Sequence, residues 1–302
     1  MIFPYYSGNS FPIAVVGHAV IGAGIVSVAC AEGIAPVGER QSGATQMAIL
    51  TSSLELRSSF LSIHGAEALI RLGRGAEVQS AFLPQADETE PRYRIGVWRV
   101  LARCATTDSS RSAYVERIRR VLADPTAVDR VHALESLAKL GVRLTQDEIG
   151  IAHQFAADRE ASGSAYAWWS LLNSDEPMVV EQIVSLLQAK NPIVRAQAAY
   201  SLWQAGKVTD SIREQIAVAL RTEPRDSPAR SMLIAAAGGQ PVIELARSGS
   251  TPSGRYLAAM ALAESPQLPA DELLESMQQD PDQDVRIASA FACLYRKQNP
   301  TR

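Results

Sequence analysis

The chain has 302 residues, 47% hydrophobic, 20% charged and only 6% aromatic, which supplies a large core and excludes wholesale disorder. Three Cys cannot build a disulfide framework, and a mean hydropathy of −0.02 excludes a polytopic membrane protein. A net charge of −3 gives no global attraction to nucleic-acid phosphates, and the length suits two ordinary domains or one elongated body.

Residues Phe11 to Ala31 hold no charged side chain and end in Ala29-Cys30-Ala31, a small-x-small pattern suited to signal-peptidase cleavage before Glu32. The stretch also fits an uncleaved membrane anchor, since about 20 apolar residues cross a bilayer. Ser27-Val28-Ala29-Cys30 resembles a lipobox, which adds a lipid-modified Cys30 as a third form. The expected organisation is a signal-like or anchoring segment over 1–31, a Gly/Pro-containing linker over 32–43 and a folded body over 44–299. The expected location is outside the cytoplasm (periplasm, envelope or extracellular), or the cytoplasm if 11–31 is no signal.

Beyond that segment the chain repeats itself. Val194 to Gly206 aligns with Asp129 to Gly141 in one frame: Arg at position 0, Ala at +3, Leu at +7 and Gly at +11. Zero positions recur at Ser62, Arg94, Arg130, Ser164, Arg195, Arg230, Arg255 and Arg286, spaced 32, 36, 34, 31, 35, 25 and 31 residues apart. Small residues at +3 and apolar ones at +7 lie one helical turn apart and make one face of a helix. A second amphipathic stretch precedes each, as in Tyr114–Ala123, Thr145–Ala157, Val179–Ala189, Ser211–Leu220 and Asp271–Met277, so each unit reads as a helical hairpin. Thr145-x-x-Glu148 predicts a capping box, and Gly73, Gly141 and Gly206 stand where a helix ends in a left-handed residue. Pro91, Pro192 and Pro252, each three residues before the Arg, mark where second helices begin. The 25-residue unit with Gly238-Gly239 predicts a bend or break.

Asn191-Pro192-Ile193-Val194-Arg195 to Leu202 and Asp280-Pro281 to Ala290 closely resemble the HEAT-repeat family of α-solenoids. The resemblance covers some 250 residues and implies an all-α fold, a right-handed α-α superhelix of about eight helical hairpins. It also implies that the repeated Arg94, Arg130, Arg195, Arg230, Arg255 and Arg286 form a ladder to carboxylates or carbonyls of adjoining units.

No catalytic signature accompanies the repeat: the sequence lacks a G-x-S-x-G elbow, a Walker A loop and an H-E-x-x-H helix. His18, His64, His132 and His153 are not spaced as metal ligands, and His64 and His132 share position +2 of their repeats, which points to structure. Neither metal nor cofactor is expected. Cys104 and Cys293 read as buried free thiols, and Trp98 and Trp168, at +4, as core. Column +5 changes character along the chain, from Glu67, Arg99 and Glu135 to Trp169, Tyr200, Ala235, Met260 and Phe291. Second helices of stacked HEAT units line the inner face, so Trp169, Tyr200, Met260 and Phe291 are candidate partner-binding residues in a concave groove, against the alternative that they fill space between helices.

The expected function is a non-catalytic protein-binding scaffold whose partner is another protein; nucleic acid is not expected, and membrane only through the N-terminal segment. HEAT-like folds also include alkylpurine DNA glycosylases and phycobilin lyases. A glycosylase would draw on an aromatic and a carboxylate, here Trp168, Trp169 and Asp175, in a basic channel. A structural accessory subunit of a membrane complex is the third reading.

Overall fold

The computed structural model describes residues 43–300, and among them every regular element is helical. The segment over 11–31 and Cys30 lie outside the described residues. No helix of the described residues is long and apolar enough to cross a membrane.

The first hairpins are α1 (Gly43–Ser53) with α2 (Phe60–Arg71), α3 (Gly75–Phe82) with α4 (Arg94–Cys104), and α5 (Asp108–Ala123) with α6 (Arg130–Lys139). Next come α7 (Gln146–Ala157) with α8 (Ser164–Leu172) and α9 (Val179–Ser185) with α10 (Pro192–Gln204). The last are α11 (Asp210–Thr222) with α12 (Pro228–Ala237), α13 (Gln240–Ser248) with α14 (Pro252–Ala263), and α15 (Asp271–Met277) with α16 (Gln283–Gln298). The eight even-numbered helices begin within a few residues of the eight zero positions, because the same signals act locally. Pro192, Pro228 and Pro252 occupy the first helical turn, where a missing N–H costs nothing, and Asn191, Ser227 and Thr251 cap with their side chains. Thr145 and Glu148 form the expected capping box. Gly73, Gly141 and Gly206 all take positive φ.

Small residues at +3 and Leu at +7 are buried throughout: Ala133, Ala167, Ala198 and Ala258 are fully enclosed, as are Leu69, Leu137, Leu171, Leu202 and Leu262. Short side chains let each even helix lie close to its own odd helix and to the neighbouring hairpin. The 25-residue unit is no break. Gly238 and Gly239, at φ 73° and 76°, turn the chain within two residues, and the short α13 still packs on α14 while α12 bridges α10 and α14.

Each even helix packs on the even helices before and after it, and the series does not end at α16. That helix packs on α14 on one side and on α2 and α1 on the other, so residues 43–300 form a closed ring with the even helices inside. His64 Nδ1 of α2 lies 2.8 Å from Asp284 Oδ1 of α16, and Arg71 at the end of α2 donates to Glu264 just past α14, also at 2.8 Å. The Arg71 guanidinium stacks over the rings of Phe291 and Tyr295 at 4.8 and 4.7 Å. An open concave groove, as expected from the family resemblance, is therefore replaced by an enclosed interior.

Candidate functional site

The zero-position arginines are consumed structurally. Arg94 makes a two-pronged pair with Asp129, Arg195 with Glu223 and Arg255 with Asp280, each linking an inner helix to the turn before the next one. Arg130 donates to the Leu122 carbonyl in the last turn of α5, and Arg230 and Arg286 donate to carbonyls of their own hairpin turns. Arg94, Arg195 and Arg255 thus make the expected ladder to adjoining units, whereas Arg130, Arg230 and Arg286 depart from it and bond within their own hairpins.

The inner helices turn columns +2, +5 and +9 toward the ring interior, since these positions follow one another by about a helical turn. Over α2, α4 and α6 the columns carry charge. Arg99, 1% exposed, donates from Nε to Glu67 Oε1 at 2.8 Å and from Nη1 to Ser136 Oγ at 2.7 Å. The same Nη1 lies 3.2 Å from His132 Nε2. A guanidinium can only donate, so Nε2 accepts and the His132 proton sits on Nδ1. Lys139 Nζ is 2.8 Å from Glu135 Oε1 and 5.2 Å from the centre of the Tyr200 ring, which reaches it past α8.

These groups set one another's ionisation. Burial alone would raise the Glu67 carboxyl, but Arg99, Lys139 and Arg103 outweigh it and hold it well below its ordinary value. Burial likewise opposes Glu135, whose carboxyl the cations of Lys139 and Arg99 nevertheless bring to about 2. Burial, reinforced by Arg99, pushes His132 down to about 3, so it stays neutral. Burial raises the phenols of Tyr166, Tyr200 and Tyr256 well above 10.

From α8 onward column +5 is aromatic and apolar, flanked by Tyr166 of column +2 and Tyr295 of column +9, while Gln197, Asn173, Gln204 and Glu264 keep the flanking columns partly polar. Trp169 is 4% exposed, Tyr200 6% and Phe291 0%, and Met260 is half-buried. Trp169 and Tyr166 both meet Tyr200 edge-on, with centroids 6.0 and 6.2 Å apart. The candidate partner-binding set is corrected accordingly: ring closure turns column +5 inward, and Trp169, Tyr200 and Phe291 fill the interior instead of facing an open groove. Of the tryptophan pair, Trp169 is the buried one. Trp168 is half-buried against the edge of His153, while Trp98 is core as expected, its indole donating to the Ala86 carbonyl at 2.9 Å. Asp175 sits in an exposed turn paired with Arg143 at 2.8 Å, so Trp169 and Asp175 do not share a channel.

Sequence reasoning passed over column +9: Arg71, Arg103, Lys139, Asn173, Gln204, Gly239, Glu264 and Tyr295. Its signal was available, because three successive basic residues stand one turn beyond the +5 charges. Four of these positions meet where α4, α6, α8 and α10 end. There Arg103, Lys139, Asn173 and Gln204, together with Lys207 and the indole of Trp169, line a cavity of about 380 Å³. Gly206, at φ 64°, closes α10 and lets the Lys207 N–H return to the Leu202 carbonyl at 2.9 Å, which places the lysine at the mouth. Arg103 also donates to Glu67 at 3.5 Å and to the Lys139 carbonyl at 3.3 Å.

No metal-ligand group of three His, Cys, Asp or Glu exists among the described residues. Cys104 and Cys293 are free and buried, their thiols pushed by burial to about 11, far from the reactive thiolate range.

No protein-family model matches the chain, and comparison with curated proteins finds no match. Among solved structures the chain is similar to a crystal structure of an engineered protein from a structural genomics consortium, at 15% identity over 84% of this chain and 80% of that one. The TM-score is 0.31, a likeness that carries no argument about fold or function.

Proposed function

We propose that this chain is a non-catalytic protein-binding scaffold made of HEAT-like hairpins closed into a ring and working outside the cytoplasm. The repeat frame with its arginine ladder supports the HEAT-like reading, and the uncharged run 11–31 ending in Ala29-Cys30-Ala31 supports export. The carboxylates of the interior support a non-catalytic role: Glu67 and Glu135 are pinned by cations well below neutrality and are poor proton acceptors near pH 7.

One observation carries the binding reading. All turns from an odd to an even helix lie at one rim, and the first three expose large apolar side chains: Leu56 at 36%, Leu83 at 50% and Val128 at 70%. These turns are tied together, Ser58 to Glu88 at 2.7 Å and Arg94 to Asp129, so the three side chains are presented on a fixed frame. A partner protein docks on this rim and not on the +5 column. The test is affinity purification with the full chain and with Leu83→Asp and Val128→Asp. Recovery of a defined partner by the wild type and its loss from both folded variants is expected. Undiminished recovery, or enzyme-like turnover by purified residues 32–302, overturns the proposal.

A further inference from the structure

The cavity at the ends of α4, α6, α8 and α10 runs against the charge of the whole chain. The protein carries −3 overall, yet the residues lining this cavity include three cations, Arg103, Lys139 and Lys207, and no carboxylate. Behind them the balance stays positive. Glu67 serves two guanidiniums, at 2.8 Å from Arg99 and 3.5 Å from Arg103, and Glu135 serves Lys139. Four cations thus face two carboxylates. Two of the chain's four lysines are here, in a protein whose other basic residues are almost all arginine.

Helix C-termini ordinarily repel anions, but the carbonyls that end α6 at this cavity are already covered by donors. Asn173 Nδ2 donates to the Ala138 carbonyl at 3.2 Å, Arg103 covers that of Lys139, and Arg111 that of Leu140 at 2.7 Å. The amides of Asn173 and Gln204 supply neutral hydrogen-bonding groups along the wall, and a volume of about 380 Å³ lies within the range of small-molecule sites.

We propose that this cavity binds a small organic dianion, a phosphate ester or a dicarboxylate, with its charged ends on Lys207 and Arg103 and its body against Asn173, Gln204 and Trp169. Such a ligand neutralises the surplus of two charges, and no salt bridge within the protein must break to admit it. The site goes beyond the scaffold reading and lies at the opposite rim from Leu83, so either can fail alone.

Calorimetric titration of the full chain with glycerol phosphate, malate and, as a neutral control, glycerol tests it. One or both dianions bind, glycerol does not, and the affinity falls with added salt. Lys207→Gln, a change at an exposed side chain that leaves the fold intact, weakens binding by about tenfold, the value of one charge-assisted hydrogen bond. Arg120→Gln, on the outer surface of α5, and Leu83→Asp leave it unchanged. Glycerol phosphate binding without malate identifies a phosphate site, and the reverse a carboxylate site. Failure of both dianions to bind the wild type at about 10 mM, or equal binding by Lys207→Gln, overturns the proposal.

Discussion

The two halves of the ring solve one packing problem with different chemistry. Over α2, α4 and α6 the inward columns hold Glu67, Arg99, His132, Glu135 and Lys139; from α8 onward the charge in column +5 gives way to Trp169, Tyr200 and Phe291, with Tyr166 and Tyr295 beside them and Asn173, Gln204 and Glu264 at the helix ends. The positions, helix geometry and burial are alike. The aromatic half gains directly from area removed from water and tolerates small adjustments of ring angle. The charged half gains little net energy from its pairs, because each ion gives up its hydration, but it permits few arrangements, since Arg99 alone is shared among Glu67, His132 and Ser136. The difference teaches that enclosure alone does not decide what an interior is made of, and that a fixed polar lattice beside an aromatic wall leaves an asymmetric, positively charged cavity where they meet.

The largest effect is expected on the charged side. Arg99→Ala removes the nearer of the two guanidiniums on Glu67 and leaves a cavity beside His132 and Ser136, and equilibrium urea unfolding should register a loss of about 3 to 5 kcal/mol. Glu67→Leu combined with Arg99→Met should recover most of it, whereas an unrecovered double variant would mean that the lattice itself stabilises the ring. On the aromatic side Phe291→Ala opens a cavity under Arg71 and should cost about 3 kcal/mol in the same measurement. If it costs as much as Arg99→Ala and the double variant recovers nothing, the contrast between the halves is lost.

Acid separates them further. Between pH 6.5 and 3 the unfolded chain binds a proton that folded His132 refuses, so stability falls as the pH drops through that window. Glu135 adds a lower window: its contribution is complete above its ordinary 4.5 and is lost as the pH falls toward about 2. His132→Gln, which keeps an acceptor for Arg99, should remove roughly 2 kcal/mol of the stability change between pH 6.5 and 4.5, read from unfolding curves across that range. A slope that survives the substitution belongs to another group. The smallest effect is expected at the seam: Glu264→Gln weakens the part-exposed pair with Arg71 but keeps an acceptor for the Trp203 indole, and its cost should stay below about 1 kcal/mol.

What could be read from the sequence was whatever is local to one hairpin or to two successive ones. Proline and cap residues mark helix starts, Ala and Leu mark the packed face, and Arg94 with Asp129 or Arg255 with Asp280 lie within one repeat of each other. Closure was illegible, since it depends on the small rotation accumulated from unit to unit, and the residues that fasten it, His64 with Asp284 and Arg71 with Glu264, have no spacing rule. The same omission misdirected column +5, whose aromatic residues face a groove in an open array and an enclosed interior in a ring. Column +9 was readable and unread; its basic run becomes meaningful only once four helix ends are known to converge.

Closure also changes what it means for this chain to have ends. In an open stack of repeats the outermost units hold on by one flank and fray first. Here α1 and α2 are flanked by α16, and the fastening pair at the seam joins residues 220 positions apart. That junction carries a large loop-closure entropy, which the stacking of the intervening hairpins reduces by bringing its two sides together. Once it is made, no unit has a free flank and none can leave without parting two interfaces. Amide exchange in α2 and α16 is then expected to be as slow as in α8, with unfolding as one cooperative unit and no preferred point of unravelling.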